Sequence, residues 1–188
     1  MSQTPRIPEQ HTEGPYRIAL VCLGNICRSP VADVVLTAEV AEAGLAERVR
    51  VESAGTGDWH VGRPMDPRAA ASLREVGHDP DHHRARQYDE AWPGAHDLVL
   101  AMDDSNLADL RDLARRAGWA AEHRIRKFGD FDPVEPGSEV PDPYYGGEDG
   151  FARVMQMVRR TSTTLVAELA RALDREPGRE LGRELGRP

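Results

Sequence analysis

The chain's two cysteines both fall within VCLGNICRSP, residues 21–30, and an arginine stands six positions after the first of them. Cys22, Arg28 and Ser29 bring a thiol, a guanidinium and a hydroxyl to one short stretch, with Gly24 and Asn25 between. If residues 23–28 form a tight turn, Gly24 and Asn25 tolerate left-handed backbone angles that let successive N–H groups point inward as an anion-binding nest. Ser29 suits the N-cap of a following helix and Pro30 its first position, so the positive end of the helix dipole faces the same hollow. Arg28 adds a planar fork that grips two oxygens of a phosphate. A thiol on the floor of this nest is stabilised as thiolate, which predicts Cys22 as a nucleophile. The oxyanion is then presented to the sulfur for phosphoryl transfer through a phosphocysteine, with Ser29 donating to the sulfur as it leaves. The plain alternative is a small buried side chain after a strand. The bare C-x5-R spacing occurs by chance; its combination with the Gly-Asn turn and the Ser-Pro helix start does not fit that alternative well.

Such a site needs a strand to end at Cys22 and a helix to begin after the loop. Residues 17–22 (RIALVC) read as a short buried strand, and 30–43 as a helix stopped by Gly44. Residues 48–53 alternate like a strand, and 67–76 form a helix closed by Gly77. A third strand is expected over 97–102, a helix over 103–117 ending at Gly118, and a fourth strand over 123–128. A proline-rich loop leads to a long amphipathic helix over 148–173. This alternation predicts an α/β fold in three layers, a four-stranded parallel sheet with helices on both faces. Ligands of such sheets bind beyond the carboxyl ends of the strands, where the opening motif stands.

Composition narrows the function. The 188 residues carry a formal net charge of −8, with Lys127 the single lysine, which argues against a nucleic-acid or anionic-membrane binder. No run approaches the roughly 18 apolar residues of a membrane span, and the first 17 residues lack the apolar core of an export signal. Two cysteines are too few for a disulfide scaffold. The expectation is a cytoplasmic, monomeric protein with reduced thiols. Residues 1–15, with Pro5, Pro8, Gly14 and Pro15, read as a disordered arm. Residues 16–174 read as the domain, and 175–188 as a flexible Gly/Arg/Glu tail.

The motifs resemble the low-molecular-weight protein tyrosine phosphatases. CLGNICRSP matches that family's active-site loop without a departure, and SAGTGDWHVGRPMDPRA (53–69), HRARQ (83–87), MDDSNL (102–107) and DPYYGG (142–147) extend the likeness over about 17–172. The resemblance implies the phosphotyrosine phosphatase I, flavodoxin-like type of fold and hydrolysis of phosphotyrosine in proteins, in the setting of bacterial signalling. It implies no metal or cofactor, and phosphate or other oxyanions as product or inhibitor. Leu23, Gly24, Asn25, Ile26, Cys27 and Arg28 become the phosphate-binding loop.

A general acid is also required, so that the tyrosine oxygen does not leave as phenolate. Local chemistry does not choose among Asp66-Pro67, Asp132-Pro133 and Asp142-Pro143; the resemblance selects Asp142. It further implies that Leu23, Ile26, Trp59 and Tyr144 wall a slot for a phenyl ring, with Tyr145 at its mouth and His60 tuning preference for neighbouring residues. The depth of such a slot would exclude the shorter phosphoserine. Asn25, Ser53 and His83 are implied as a supporting network, and Cys27 as partner to Cys22 in a protective reversible disulfide. Taken alone, the loop aromatics read as anchors against the core, His83 as an exposed residue and Cys27 as a side chain that fits the loop. His78, His82 and His83 with Asp79 and Asp81 lack zinc-ligand spacing to the thiols.

Three rivals use similar parts. A thioredoxin-linked arsenate reductase of this fold needs further cysteines downstream, and none follows Cys27. A protein-arginine phosphatase typically has threonine where this chain has Ile26. A phosphate-binding module without turnover would be expected to lack Cys22, Arg28 or Asp142.

Overall fold

The structure is a computed structural model that describes residues 5–174. Its elements run β1 (Tyr16–Cys22), α1 (Arg28–Glu42), β2 (Val49–Gly55), α2 (Pro67–Glu75), β3 (Leu98–Ala101), α3 (Asp104–Arg116), β4 (Ile125–Lys127) and α4 (Glu148–Leu173). The four strands form one parallel sheet in the order β2-β1-β3-β4.

Alternate side chains of the central strands serve opposite faces, as the period of a strand requires. Ile18, Leu20, Leu98 and Leu100 enter the larger core, which α1 and α4 close; Ala19, Val21, Val99 and Ala101 enter the smaller one beneath α3. The sheet is therefore the middle of three layers, and β1 is buried on both sides. After β1 the chain passes to β2 on one flank, then crosses to β3 on the other. This reversal opens the crevice at the carboxyl ends of β1 and β3, the position where doubly wound sheets bind ligands.

Three readings from the sequence change. The first helix begins at Arg28, two residues earlier than expected, with Cys27 as its N-cap and no side-chain cap. Ser29 is therefore not the cap: the loop curls tightly enough that Cys27 O already accepts Val31 N–H, at 3.2 Å. The fourth strand is only three residues long, flanked by 3₁₀ turns at Glu122–Arg124 and Phe128–Phe131.

The arm over 1–15, expected to be disordered, lies against the domain from residue 5 onward. Its order comes from polar bonds that an apolar count does not register. The fully buried carboxylate of Asp97 accepts the His11 and Thr12 backbone N–H groups at 2.7 and 3.0 Å, and the Thr12 hydroxyl at 2.6 Å. Tyr16 donates its hydroxyl to Pro8 O, and Arg124 and Arg126 donate to the carbonyls of Glu9 and Arg6. Residues 1–4 and the expected tail over 175–188 lie outside the described residues.

Candidate active site

β1 ends at Cys22, α1 starts at Arg28, and the five residues between must reverse around the sulfur. Asn25 does so with φ of 53°, the one non-glycine residue at positive φ among those described. This turn aims the Asn25 N–H at Cys22 Sγ, 3.3 Å away, and Ser29 Oγ lies 3.0 Å from the same sulfur. Freed from capping, the Ser29 hydroxyl also meets Asn25 Nδ2 at 2.9 Å and Ala54 O at 3.2 Å. Gly55 sits where the loop passes closest: a Cβ there would stand 2.6 Å from Leu23 O.

An asparagine held left-handed costs energy unless its surroundings fix it. Its amide is fixed from both ends, Nδ2 donating to Ser29 and Oδ1 accepting the Arg86 N–H at 2.8 Å, while its own carbonyl meets His83 Nε2 at 2.7 Å. Burial is the main cause that lowers the His83 pKa, with the charges of Arg86 and Arg84 adding to it against the Asn25 hydrogen bond. Ser53 does not reach Asn25. Its hydroxyl donates to Asp33 Oδ2 at 2.8 Å, and only its backbone carbonyl touches the network, through Arg86 Nη2 at 3.1 Å.

Arg28 is almost fully buried and joins the two halves of the site. Nη1 donates to Asp103 Oδ2 at 2.5 Å and to Val140 O at 3.3 Å; Nη2 donates to Asp142 Oδ2 at 2.9 Å. Burial opposes its charge, but the neighbouring Cys22, Asp103 and Asp142 prevail and hold its pKa above the ordinary arginine value. Of the chain's four Asp-Pro pairs, which include Asp79-Pro80, only Asp142 reaches this guanidinium; Asp79 accepts Asp81 N–H instead. Asp66 caps α2 and pairs with Arg68, and Asp132 is bound by Arg160.

Over the sulfur opens a hollow of about 250 Å³. Leu23, Ile26, Trp59 and Tyr144 line it beside Cys22 and Arg28, with His60 and Tyr145 also at its border. The Trp59 ring lies across Gly57, which has no Cβ to obstruct it, and Tyr144 and Tyr145 meet edge to face at 4.9 Å. Cys27 also lines the hollow but is buried. Burial first, then the negative charges of Asp66, Cys22 and Asp142, raises its pKa and keeps it a protonated thiol. Both cysteines are free. Among the described residues, no group of three or more His, Cys, Asp or Glu is gathered for a metal ion. His83 instead faces Asn25. No helix of the described residues is long and apolar enough to cross a membrane.

Sequence reasoning missed three residues. Asp103 both caps α3, accepting Asn106 N–H at 2.7 Å, and orients Arg28. Its signal was a carboxylate at the end of a predicted strand, at the sheet's switch point. Arg86 supplies the N–H that fixes Asn25, for which a sequence has no mark. Arg68 bonds both oxygens of Asp66 and the Tyr144 carbonyl at 3.1 Å, and its guanidinium lies over the Tyr144 and Phe151 rings. Because Asp66 N–H is bonded to Ile26 O at 2.8 Å, Arg68 ties the loop of Asp142 back to the loop of Cys22.

A thiol that meets the Asn25 N–H beside a buried arginine, at the switch point of a four-stranded parallel sheet, is a layout suited to binding a phosphate group. Known proteins carry the assignment further. The family model described as low molecular weight phosphotyrosine protein phosphatase matches residues 17–175. A low molecular weight protein-tyrosine-phosphatase of Streptomyces coelicolor is 47% identical over 154 residues, 81% of this chain and 92% of its own. Among solved structures, a protein tyrosine phosphatase from Entamoeba histolytica, with Hepes in its active site, superposes with a TM-score of 0.77 at 33% identity. The match covers 84% of this chain and 99% of that one. YfkJ from Bacillus subtilis gives the same TM-score and identity over 84% and 96%. The chain belongs to the low molecular weight phosphotyrosine protein phosphatase family, a family of hydrolases.

Proposed function

We propose that the protein hydrolyses phosphotyrosine in protein substrates in two steps through a phosphocysteine at Cys22. The observation that carries this reading is the placement of Arg28 between Cys22 and Asp142, joined to the latter at 2.9 Å. A phosphate dianion held by the loop N–H groups competes for Nη2 and frees the Asp142 carboxylate, which takes up a proton from solvent and carries it to the leaving oxygen. Cys22 Sγ attacks phosphorus in line, the P–O bond to the tyrosine breaks, and Asp142 gives its proton to the departing oxygen. Arg28 and the loop amides hold the equatorial oxygens as charge spreads over them. In the second step Asp142 takes a proton from water, which attacks phosphorus. The thiolate leaves with Ser29 Oγ, 3.0 Å away, donating to it, and inorganic phosphate is released.

Leu23, Ile26, Trp59 and Tyr144 form the walls that take the phenyl ring, and their apolar character at Ile26 favours an aromatic over a guanidinium substrate. His83 and the Ser29 hydroxyl, with the Arg86 N–H, replace the Asn25–Ser53–His83 network as supports of the loop. Cys27 is read as the resolving thiol. Peroxide oxidises the Cys22 thiolate to a sulfenic acid, releasing hydroxide, and the Cys27 thiol condenses with it to a disulfide, releasing water.

The test sets a phosphotyrosine peptide beside a phosphoarginine peptide, with reductant and without metal, and compares kcat/KM. Strong preference for phosphotyrosine is expected, with Cys22→Ser reducing turnover by about 10⁵-fold or to background. Preference for phosphoarginine would keep the thiolate chemistry and overturn the aromatic slot. Retained turnover in Cys22→Ser would overturn the mechanism.

A further inference from the structure

The candidate active site shares two of its walls with a second hollow. Leu23 and Trp59, both exposed, border the Cys22 hollow on one side and, on the other, a cleft of about 350 Å³ closed by α3. Thr56 and Tyr88 border this cleft, and Asp109, Asp112 and Arg116 reach it from the helix. Its backbone is continuous with the nucleophile loop: Thr56 N–H bonds Cys22 O and Gly57 N–H bonds Leu23 O, each at 2.9 Å.

Two features of the cleft are unaccounted for by the fold. Tyr88 is 1% exposed, yet its hydroxyl has no hydrogen-bond partner, and the Thr56 hydroxyl is buried and unpartnered in the same way. Buried hydroxyls without partners carry the full cost of their desolvation, and both of these belong to residues that border this one cleft. The second feature is charge. Asp112 is shared by Arg115 and Arg116, at 3.3 and 3.0 Å, whereas Asp109 is exposed and makes no ion pair among the described residues. Asp112 is thus answered by two guanidiniums, and the charge left free at the cleft is the carboxylate of Asp109.

The geometry points to a subsite for an arginine side chain of the protein substrate, close in sequence to the phosphotyrosine. This rests on the phosphatase reading above and extends it to the substrate's neighbouring residues. A guanidinium is flat enough to lie on the exposed Trp59 ring, and its N–H groups supply donors for the Tyr88 and Thr56 oxygens. Its charge is met by Asp109, and its methylene stem has Leu23 and Leu113 to lie along. Lysine offers a compact, strongly hydrated ammonium with no flat face, and ranks below arginine. Glutamate would face the unpaired carboxylate of Asp109 and be repelled.

The experiment uses the full chain and a set of phosphotyrosine peptides. They differ at single positions, one or two residues to either side of the phosphotyrosine, where each carries Arg, Lys, Ala or Glu. A small aryl phosphate, too short to enter the cleft, reports phosphatase activity in each protein. The quantity read is the ratio of kcat/KM for the Arg peptide to that for the Ala peptide within one protein, so that any effect of a substitution on folding or chemistry cancels. A ratio of about fivefold or more is expected at one of the positions, declining with added salt. Asp109→Asn brings it close to one and Tyr88→Phe lowers it part of the way.

A ratio near one at every position in the unsubstituted protein, with the aryl phosphate still hydrolysed, overturns the subsite and leaves the phosphatase. A ratio that Asp109→Asn does not change overturns its placement in this cleft. Lysine equal to arginine removes the guanidinium from the argument, and preference for glutamate reverses its sign. Failure to hydrolyse even the aryl phosphate defeats the phosphatase reading, and the subsite falls with it.

Discussion

The loop from Leu23 to Arg28 and the loop from Pro141 to Gly147 stand on opposite sides of one hollow and are held in different ways. Around the first, Asn25, Ser29 and Arg28 are all buried, and each polar atom of the Asn25 amide has a partner. The second is exposed at Tyr144 and Tyr145, and its ties to the rest of the site are Arg28 to Asp142 and Arg68 to Tyr144 O. The half proposed to hold the nucleophile is fixed by several buried bonds, among them those from His83 and Arg86; the half proposed to hold the acid is fixed by the side chains of two arginines. A transition-state clamp needs that rigidity, because its donors act only if already in place. The acid need only arrive when the leaving group is present, and an exposed loop on a short tether permits this.

This contrast predicts unequal sensitivities. The largest belongs to Arg28, which serves both halves. Arg28→Lys keeps the charge but loses the fork that addresses Asp103, Val140 and Asp142 together, and kcat/KM for phosphotyrosine should fall by about 10²- to 10³-fold. A loss below tenfold, in steady-state assays under reducing conditions, would mean that charge alone does the work. Next comes Asp142→Ala, expected to lower kcat by about 10²- to 10³-fold with KM nearly unchanged. The loss should shrink for an aryl phosphate whose leaving group needs no proton. A rate like that of the unsubstituted protein on phosphotyrosine would place the acid elsewhere, and equal losses on both esters would give Asp142 a role other than proton donation.

The third effect is smaller and concerns position only. Arg68→Met keeps a stem of similar length beside Phe151 and removes the guanidinium that bonds Asp66 and Tyr144 O. With the loop of Asp142 untethered, kcat for phosphotyrosine should drop by roughly three- to tenfold, and less for an ester with a good leaving group. That dependence on the leaving group distinguishes a misplaced acid from a general loss of structure, which would lower both rates alike. Arg68→Lys should recover part of the rate, since an ammonium can still reach the carbonyl but not both oxygens of Asp66.

The same contrast governs what could be read from sequence. The nucleophile loop was legible because its parts are consecutive: a strand end, a Gly-Asn turn and a helix start leave few ways to arrange Cys22, Ser29 and Arg28. The expectation erred there in making Ser29 a cap, because a tight loop let the helix begin at Arg28 and turned the hydroxyl toward the sulfur, and in giving Asn25 the Ser53 hydroxyl, which bonds Asp33 instead. The acid half was not legible from local chemistry. Four Asp-Pro pairs carry the same turn signal, and only the reach of Arg28, a tertiary fact, separates Asp142 from Asp66, Asp79 and Asp132. Arg68 and Arg86 were missed for the same reason, since nothing in their neighbours marks them. The N-terminal arm failed differently: its order depends on Asp97, more than eighty residues away, and a lack of apolar residues says nothing of hydrogen bonds to one buried carboxylate.

The smallest effect tests whether the rigid half is held by a titratable group. His83 reaches the Asn25 carbonyl, and burial lowers its pKa below the ordinary value of about 6.5. In an unfolded chain the imidazole takes its proton near that ordinary value, whereas the folded protein resists protonation until the pH is lower. As pH falls below about 6.5 the unfolded state therefore binds more protons than the folded one, and stability declines with it. The decline from this group stops once the pH has passed below the folded-state pKa, and above about 7.5 the group has no effect on the pH dependence. Asp66, Asp97 and Asp132 have pKa values below the ordinary carboxylate value, so their contribution is lost only in the more acidic carboxylate range. His83→Gln keeps an amide donor for the Asn25 carbonyl and removes the titration. Urea midpoints at pH 7.5 and 5.5 should move apart by less in this variant than in the unsubstituted protein, while at pH 7.5 it should cost no more than about 1 kcal/mol, the worth of one hydrogen bond. Equal pH dependence in the two proteins would show that His83 titrates alike in both states and that Asn25 is held by Arg86 and Ser29 alone.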